Sequence, residues 1–297
     1  MSQLFIGFSL SVLSVILFAI VNILVGRSLS SDKLVEGIYI TIIFSTLIIF
    51  VFTILTGELF QIFSLSIVVW ILFMITGILN FLIARSFNYT GINYLGPSRN
   101  AAIISTRIFF AAFFAFLFLG ETLTIPILIG VSMAFIGVVL VSLSQESKHA
   151  FFKIGLIFPI LTALFVGLAV IVIRQADLLS NLPVDGVFIA YLTASLFYTP
   201  GAIYRQIHSK SMYSRKSFLI LAIGGILSGI AQISRYSALQ VAPVVLVASI
   251  VATVPLGTII FSFLFNKKHE ILNLRLVLGS IITVTGVILI SVSLNAI

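Results

Sequence analysis

Residues 137–144 read GVVLVSLS and residues 286–293 read GVILISVS. The offset of 149 that superposes them also aligns Gly130 with Gly279, Glu121 with Glu270, Leu123 with Leu272 and Gly37 with Gly186. An offset of 148 aligns Ile6-Gly7 with Ile154-Gly155, and one near 147 aligns Phe118 with Phe265 and Ile103 with Ile250. Leu, Ile and Val match by chance between any two apolar segments. Two Gly-x6-Gly pairs in register with two loop glutamates do not, and they mark an internal repeat. The chain reads as two copies of one unit, over 1–146 and 147–297.

Each unit is built for lipid. Of the 297 residues 61% are hydrophobic and 8% charged, against roughly 25% charged in an ordinary soluble domain. The mean hydropathy is +1.30. A soluble fold of this size could not hide so much apolar surface. About 20 apolar residues cross a bilayer as a helix, and ten such runs occur, near 4–26, 36–56, 66–87, 96–118, 124–143, 154–173, 187–204, 217–238, 243–265 and 272–294. They are too long and continuous for barrel strands. The first run lacks a basic leader and a small-residue cleavage site, so it reads as a membrane span and not a signal peptide.

Five spans per unit is an odd number, so the second copy enters the membrane upside down. The expected fold is an all-α polytopic membrane protein of ten transmembrane helices, two inverted five-helix repeats around a central cavity. This device places a binding site near the bilayer midplane between the halves. The chain has no Cys, and its three histidines (His149, His208, His269) are scattered in loops. No metal-ligand, phosphate-loop or nucleophile motif occurs. The sequence implies no cofactor, no metal site and no enzyme activity.

The segments YLGPSRNAAI (residues 94–103) and FLFLGETLTIPILIGVSMAFIGVVL (116–140), with ALQVAPVVLVASI (238–250) and FLFNKKHEILNLRLVLGSIITVTGVILI (263–290) in the second half, resemble the drug/metabolite transporter superfamily, EamA type. The resemblance covers almost the whole chain and implies ten helices, a central cavity and export or exchange of small metabolites, amino acids among them. It is nearly silent about substrate. One departure is that the usual Gly-Glu pair, Gly120-Glu121 in the first half, is His269-Glu270 in the second.

The net charge of +8 is a matter of sidedness. Thirteen of the 16 basic residues fall on odd-numbered loops or adjoining helix ends, counting Arg85 and Arg99, and Arg174 alone falls on the other side. The positive-inside rule puts the odd loops in the cytoplasm and both termini outside, whereas the family resemblance implies termini inside. We follow the charge count. It also removes any nucleic-acid reading of the basic excess.

Two basic residues remain within spans. Arg107 lies ten residues beyond Pro97, which suits the first turn of its helix, hence about 15 Å deep. A charge there is costly unless it faces a wet cavity or a partner. All eight acidic residues lie in loops or at helix ends, so Arg107 lacks a carboxylate partner at its own depth. Either it lines the cavity and attracts an anionic substrate, or it is tied to backbone carbonyls of another helix. Pro255 interrupts its helix and frees a carbonyl near Val251. Asn100, seven residues before Arg107, and Arg99 extend a candidate polar stripe. Arg235, Gln232, Asn22 and Asn80 are further candidate substrate-binding residues. Each could instead bond another helix.

The reading is a secondary transporter in the cell membrane, an exporter or exchanger moving small organic metabolites such as amino acids by alternating access. Its partners are a small-molecule substrate and the bilayer, and it functions as a monomer. With one clearly deep arginine a carboxylate is favoured over a phosphate. A membrane-embedded carboxylate is missing, which disfavours proton coupling. The alternatives are an exchanger of phosphorylated metabolites and a non-transporting membrane scaffold.

Overall fold

A computed structural model describes residues 3–29, 33–143, 152–180, 182–208, 213–265 and 274–295. Ten spans run through them. We number these α1 (Gln3–Ser28), α2 (Leu34–Leu55), α3 (Ile67–Leu95), α4 (Pro97–Ile104, then Arg107–Leu119), α5 (Ile125–Leu143), α6 (Ile157–Ser180), α7 (Pro183–His208), α8 (Arg215–Val241), α9 (Val244–Val251, then Val254–Phe265) and α10 (Leu274–Asn295). Among the described residues every regular element is a helix. Large apolar side chains such as Leu55, Ile67, Ile125 and Leu196 point outward. Lipid is the solvent that allows this without cost.

The two halves are related by a two-fold exchange visible in the packing. α1 lies on α8 and α9, and its counterpart α6 lies on α3 and α4. α2 lies on α7, α4 on α9 and α5 on α10, each helix meeting its own repeat mate. On a two-fold axis a residue meets its own equivalent, and it does so here. Thr46 Oγ1 is 2.9 Å from Ser195 Oγ across α2 and α7. Ser105 Oγ donates to the Ala252 carbonyl at 2.7 Å across α4 and α9.

The repeated glycines make the third crossing. Gly130 packs on the backbone of Gly286, and Gly137 on that of Gly279. The earlier glycine of one pair meets the later glycine of the other, so α5 and α10 run antiparallel, as an inverted repeat requires. A Cβ on Gly130 would stand 2.8 Å from the Gly286 carbonyl, and one on Gly286 would stand 2.6 Å from the Gly130 carbonyl. The glycines exist to let backbones touch, the way membrane helices gain dispersion energy when lipid offers no hydrophobic drive. Gly225 and Gly229 do the same for α8 on α2, where Ser45 Oγ donates to the Gly225 carbonyl at 2.6 Å.

Two spans are broken at mid-depth, α4 at Ser105-Thr106 and α9 at Ala252-Thr253, positions equivalent in the repeat. In α9 the cause is Pro255, which has no N–H to return to Val251. α3 instead loosens into a π-helix over Gly77–Ala84. There Leu82 O accepts from side chains as well as from the Arg85 amide: Ser86 Oγ (2.6 Å) and Tyr198 Oη (3.0 Å). Glu121 closes the α4–α5 turn and caps the next half. Its carboxylate accepts from Val244 N (2.8 Å) and Val245 N (3.2 Å) at the start of α9, where the helix dipole favours an anion. Burial pushes the Glu121 carboxyl up, and those two amides and Arg174 pull it partly back. Its sequence partner Glu270, with His269, lies outside the described residues.

Candidate functional site

Breaks and π-turns occur where irregular backbone lines a cavity. A cavity of about 100 Å³ lies at the centre of the bundle. Three helices from each half wall it: α1, α3 and α4 with their repeat mates α6, α8 and α9. α2, α5, α7 and α10 stand outside and brace it.

Five of the seven predicted site residues line this cavity: Arg107, Asn80, Asn22, Gln232 and Arg235. Asn22 reaches across to α9, its Nδ2 donating to Thr258 Oγ1 at 3.4 Å. Asn80 is presented by the π-turn. Asn100 is not in the lining. It is buried behind it, donating to Asn88 Oδ1 (2.6 Å) and to the Asn88 carbonyl (3.2 Å). The expected stripe of Arg99, Asn100 and Arg107 is therefore not a single cavity face, because the break at Ser105-Thr106 lies between Asn100 and Arg107. The backbone of Arg99 lies in α4, and its side chain lies outside the described residues.

Arg107 is tied to a carbonyl of another helix and also lines the cavity. Its Nη2 donates to the Val251 carbonyl at 2.6 Å, the group that Pro255 leaves without an amide. Its Nε has no hydrogen-bond partner among the described residues, and the side chain faces the cavity. One edge of the guanidinium is anchored.

Arg85 is a correction. Counted from sequence as a helix-end charge, it is 8% exposed and lines the cavity from α3. It was missed because the π-turn and the length of α3, which runs on to Leu95, shift it inward. Its Nη2 donates to Ser228 Oγ of α8 at 2.5 Å. The rings of Tyr191, Phe81 and Tyr89 stand 5.4, 5.9 and 5.9 Å from its Cζ, a cation–π enclosure that offsets lost hydration. Asn88 was missed as well. Arg107 is also not the one deep cation: Arg85, Arg107 and Arg235 share one cavity. Arg85 Nη1, Arg107 Nε, Arg235 Nε and Nη2, and Asn80 Nδ2 all lack acceptors among the described residues. No carboxylate is in the lining among the described residues.

A family model for EamA-like transporters matches residues 5–143 and again 153–292. The chain belongs to the EamA-like transporter family. Membership makes it a multi-pass membrane transporter of small molecules. No curated protein matches it. Among the 29 solved chains that match, one crystal structure superposes with a TM-score of 0.73 at 14% identity, covering 97% of this chain and 94% of that one. That likeness concerns the fold alone.

Proposed function

We propose that this family member carries a small organic anion by alternating access, its two five-helix halves rocking about the central cavity. The supporting observation is the set of three guanidinium groups with unfilled donors around a cavity that, among the described residues, has no carboxylate in its lining. Buried donors without acceptors are expensive, and an anion supplies the acceptors. Arginine stays charged at any relevant pH, so the attraction is permanent.

The sequence argument favoured a carboxylate such as that of an amino acid because one arginine was clearly deep. Three converging cations support a solute with more than one negative charge, a phosphorylated or dicarboxylic metabolite. Amino acids remain the second reading, supported by the small cavity and by Phe18, Phe81, Ile104, Val166 and Val254 in its walls. The site is complete within one chain, which supports a monomer as the working unit. Removing the buried Arg85 leaves twelve basic residues on the odd loops against Arg174, which supports both termini outside.

The test is a melting-point screen of purified protein against carboxylate, phosphorylated and cationic metabolites, then counterflow of the best ligand in proteoliposomes. A ligand present at 100 times its Kd adds about 2.7 kcal/mol of stability. An anion should raise Tm and be transported, and Arg107→Gln should lose both the ligand-induced rise and the transport. Stabilisation by cations alone, or full counterflow in R107Q, sinks the anion reading.

A further inference from the structure

The cavity does not sit evenly between the two faces of the membrane. On α4 it is lined by Ala101, Ile104 and Arg107, whereas on the repeat mate α9 it is lined by Val254 alone, beyond the break. Ala101 and Ile104, with Thr162 in the first half of α6, lie toward the odd-numbered loops. On the other side the cavity is stopped by the first segment of α9. Val244–Val251 reads VVLVASIV, and all eight residues are buried. A helix apolar on every face is packed on every face. Its inner flank is nonetheless incompletely filled. Val247, Ala248 and Val251 line a second void of about 10 Å³ with Arg107, Arg235 and Gly167, and such a gap forfeits dispersion contacts.

Polar ties hold both ends of this segment. At the outer end the Glu121 carboxylate, from the α4–α5 turn of the other half, accepts from Val244 N (2.8 Å) and Val245 N (3.2 Å). Just before it, Arg174 of α6 donates to the Leu239 and Gln240 carbonyls at the end of α8, the latter at 2.7 Å. Asp177, one turn beyond Arg174, sits at a helix end as expected from sequence, but it is fully buried there. At the inner end Arg107 Nη2 donates to the Val251 carbonyl at 2.6 Å, and Ser105 Oγ holds the neighbouring Ala252 carbonyl at 2.7 Å. Arg107 Nε has no partner among the described residues. Nε and Nη2 form one edge of the guanidinium fork, and a carboxylate or phosphate binds such an edge with two parallel bonds. An anion on that edge and the Val251 carbonyl therefore draw on the same nitrogen.

We propose that Val244–Val251 is a plug that closes the cavity toward the even-numbered loops, latched at its outer end by Glu121 and released when an anion draws Arg107 off the Val251 carbonyl. The release step rests on the anion reading above. A ligand shifts a two-state equilibrium only by binding one state better. The anion binds the released state better, because Nη2 is then no longer shared with Val251. The break at Ala252-Thr253 is the hinge, since a helix already interrupted there lets the segment tilt without disturbing the rest of α9. One hydrogen bond thus carries the presence of the solute from the cavity to the plug.

The chain has no Cys, so a single introduced thiol reports on the plug. Val247→Cys places one on the face that lines the second void, and Ile42→Cys places one in α2, buried and lining neither void. In purified protein V247C should react slowly with a small water-soluble maleimide. Sulfate, a dianion at neutral pH, should speed that reaction at least about tenfold, the shift in open population that loss of one charge-assisted hydrogen bond allows. Adding Glu121→Gln, which turns one acceptor into a donor facing the same amides, should speed V247C comparably without sulfate. I42C should stay slow throughout. Melting curves of the wild type and V247C with sulfate are measured alongside. A sulfate-raised Tm with V247C still slow overturns the release step and leaves the anion reading standing. V247C still slow in E121Q overturns the latch, and equal acceleration of I42C means general loosening and overturns both. The sulfate arm needs no change at Glu121, so it decides the inference even where E121Q does not fold. Failure of sulfate to raise Tm counts against the anion reading and takes the release step with it.

Discussion

Arg107 is both anchored to another helix and part of the cavity wall. A guanidinium carries five N–H donors in a rigid fork, and one of them spent on Val251 fixes the direction of the rest. Arg85 is fixed differently, by Ser228 and a ring enclosure. Outside the membrane core, Glu58 gives a prediction of its own. Burial pushes its carboxyl up, and amide donors at Asp185 and Val184 and the Thr56 hydroxyl pull it only partly back. The folded chain thus holds that proton more tightly than the unfolded chain does. The sign follows: this group favours folding most below the ordinary carboxylate range, and its contribution declines as pH rises through the elevated value. Tm followed from acid to neutral pH should decline less steeply in Glu58→Gln than in the wild type. Parallel curves would show that Glu58 does not carry the dependence.

At the level of elements, α9 is the piece whose irregularity serves the site. Pro255→Ala restores an amide that can return to Val251 O, and it raises helix propensity. The protein should keep or gain thermal stability. Arg107, however, must then share the Val251 carbonyl with that amide, which weakens its charge-assisted hydrogen bond, so counterflow should fall. A variant that transports at wild-type rate would show that the Val251 carbonyl does not position Arg107. The π-turn of α3 has the same character. It places Asn80 and Phe81 on the cavity wall and leaves carbonyls that Ser86 and Tyr198 collect.

For the whole molecule, the antiparallel contact of α5 with α10 joins the two halves outside the cavity. A side chain at position 137 would start with its Cβ 2.5 Å from the Gly279 carbonyl and the Thr283 amide. Backbone cannot yield as a side-chain tip can. Gly137→Leu should therefore cost at least about 1–3 kcal/mol and lower Tm, without touching the cavity. An unchanged Tm would mean the halves do not need this contact. Sidedness is tested on the cysteine-free chain: Ser2→Cys in intact cells should react with an impermeant thiol reagent from outside. Protection until the cells are permeabilised would reverse the orientation.

Composition, span length and the doubled glycine pattern determined that this chain lies in a membrane, that its helices number ten and that its halves are inverted. These are properties of single segments and of their repetition, and hydropathy and spacing record them directly. Sequence also marked Arg107, Asn80, Asn22, Gln232 and Arg235, since a polar group inside an apolar run needs a reason to be there. It could not decide which polar groups share a cavity. Arg85 was counted outside because the inner length of α3 depends on a π-turn, and that turn is set by packing. Asn100 was counted inside because the break in α4 interrupts the regular helix from which its facing was extrapolated. The burial of Asp177 is likewise tertiary, because a helix end is wet or dry according to what covers it. Convergence of three arginines from α3, α4 and α8 is a fact of three-dimensional closure, and no one-dimensional pattern encodes the distance between helices far apart in the chain.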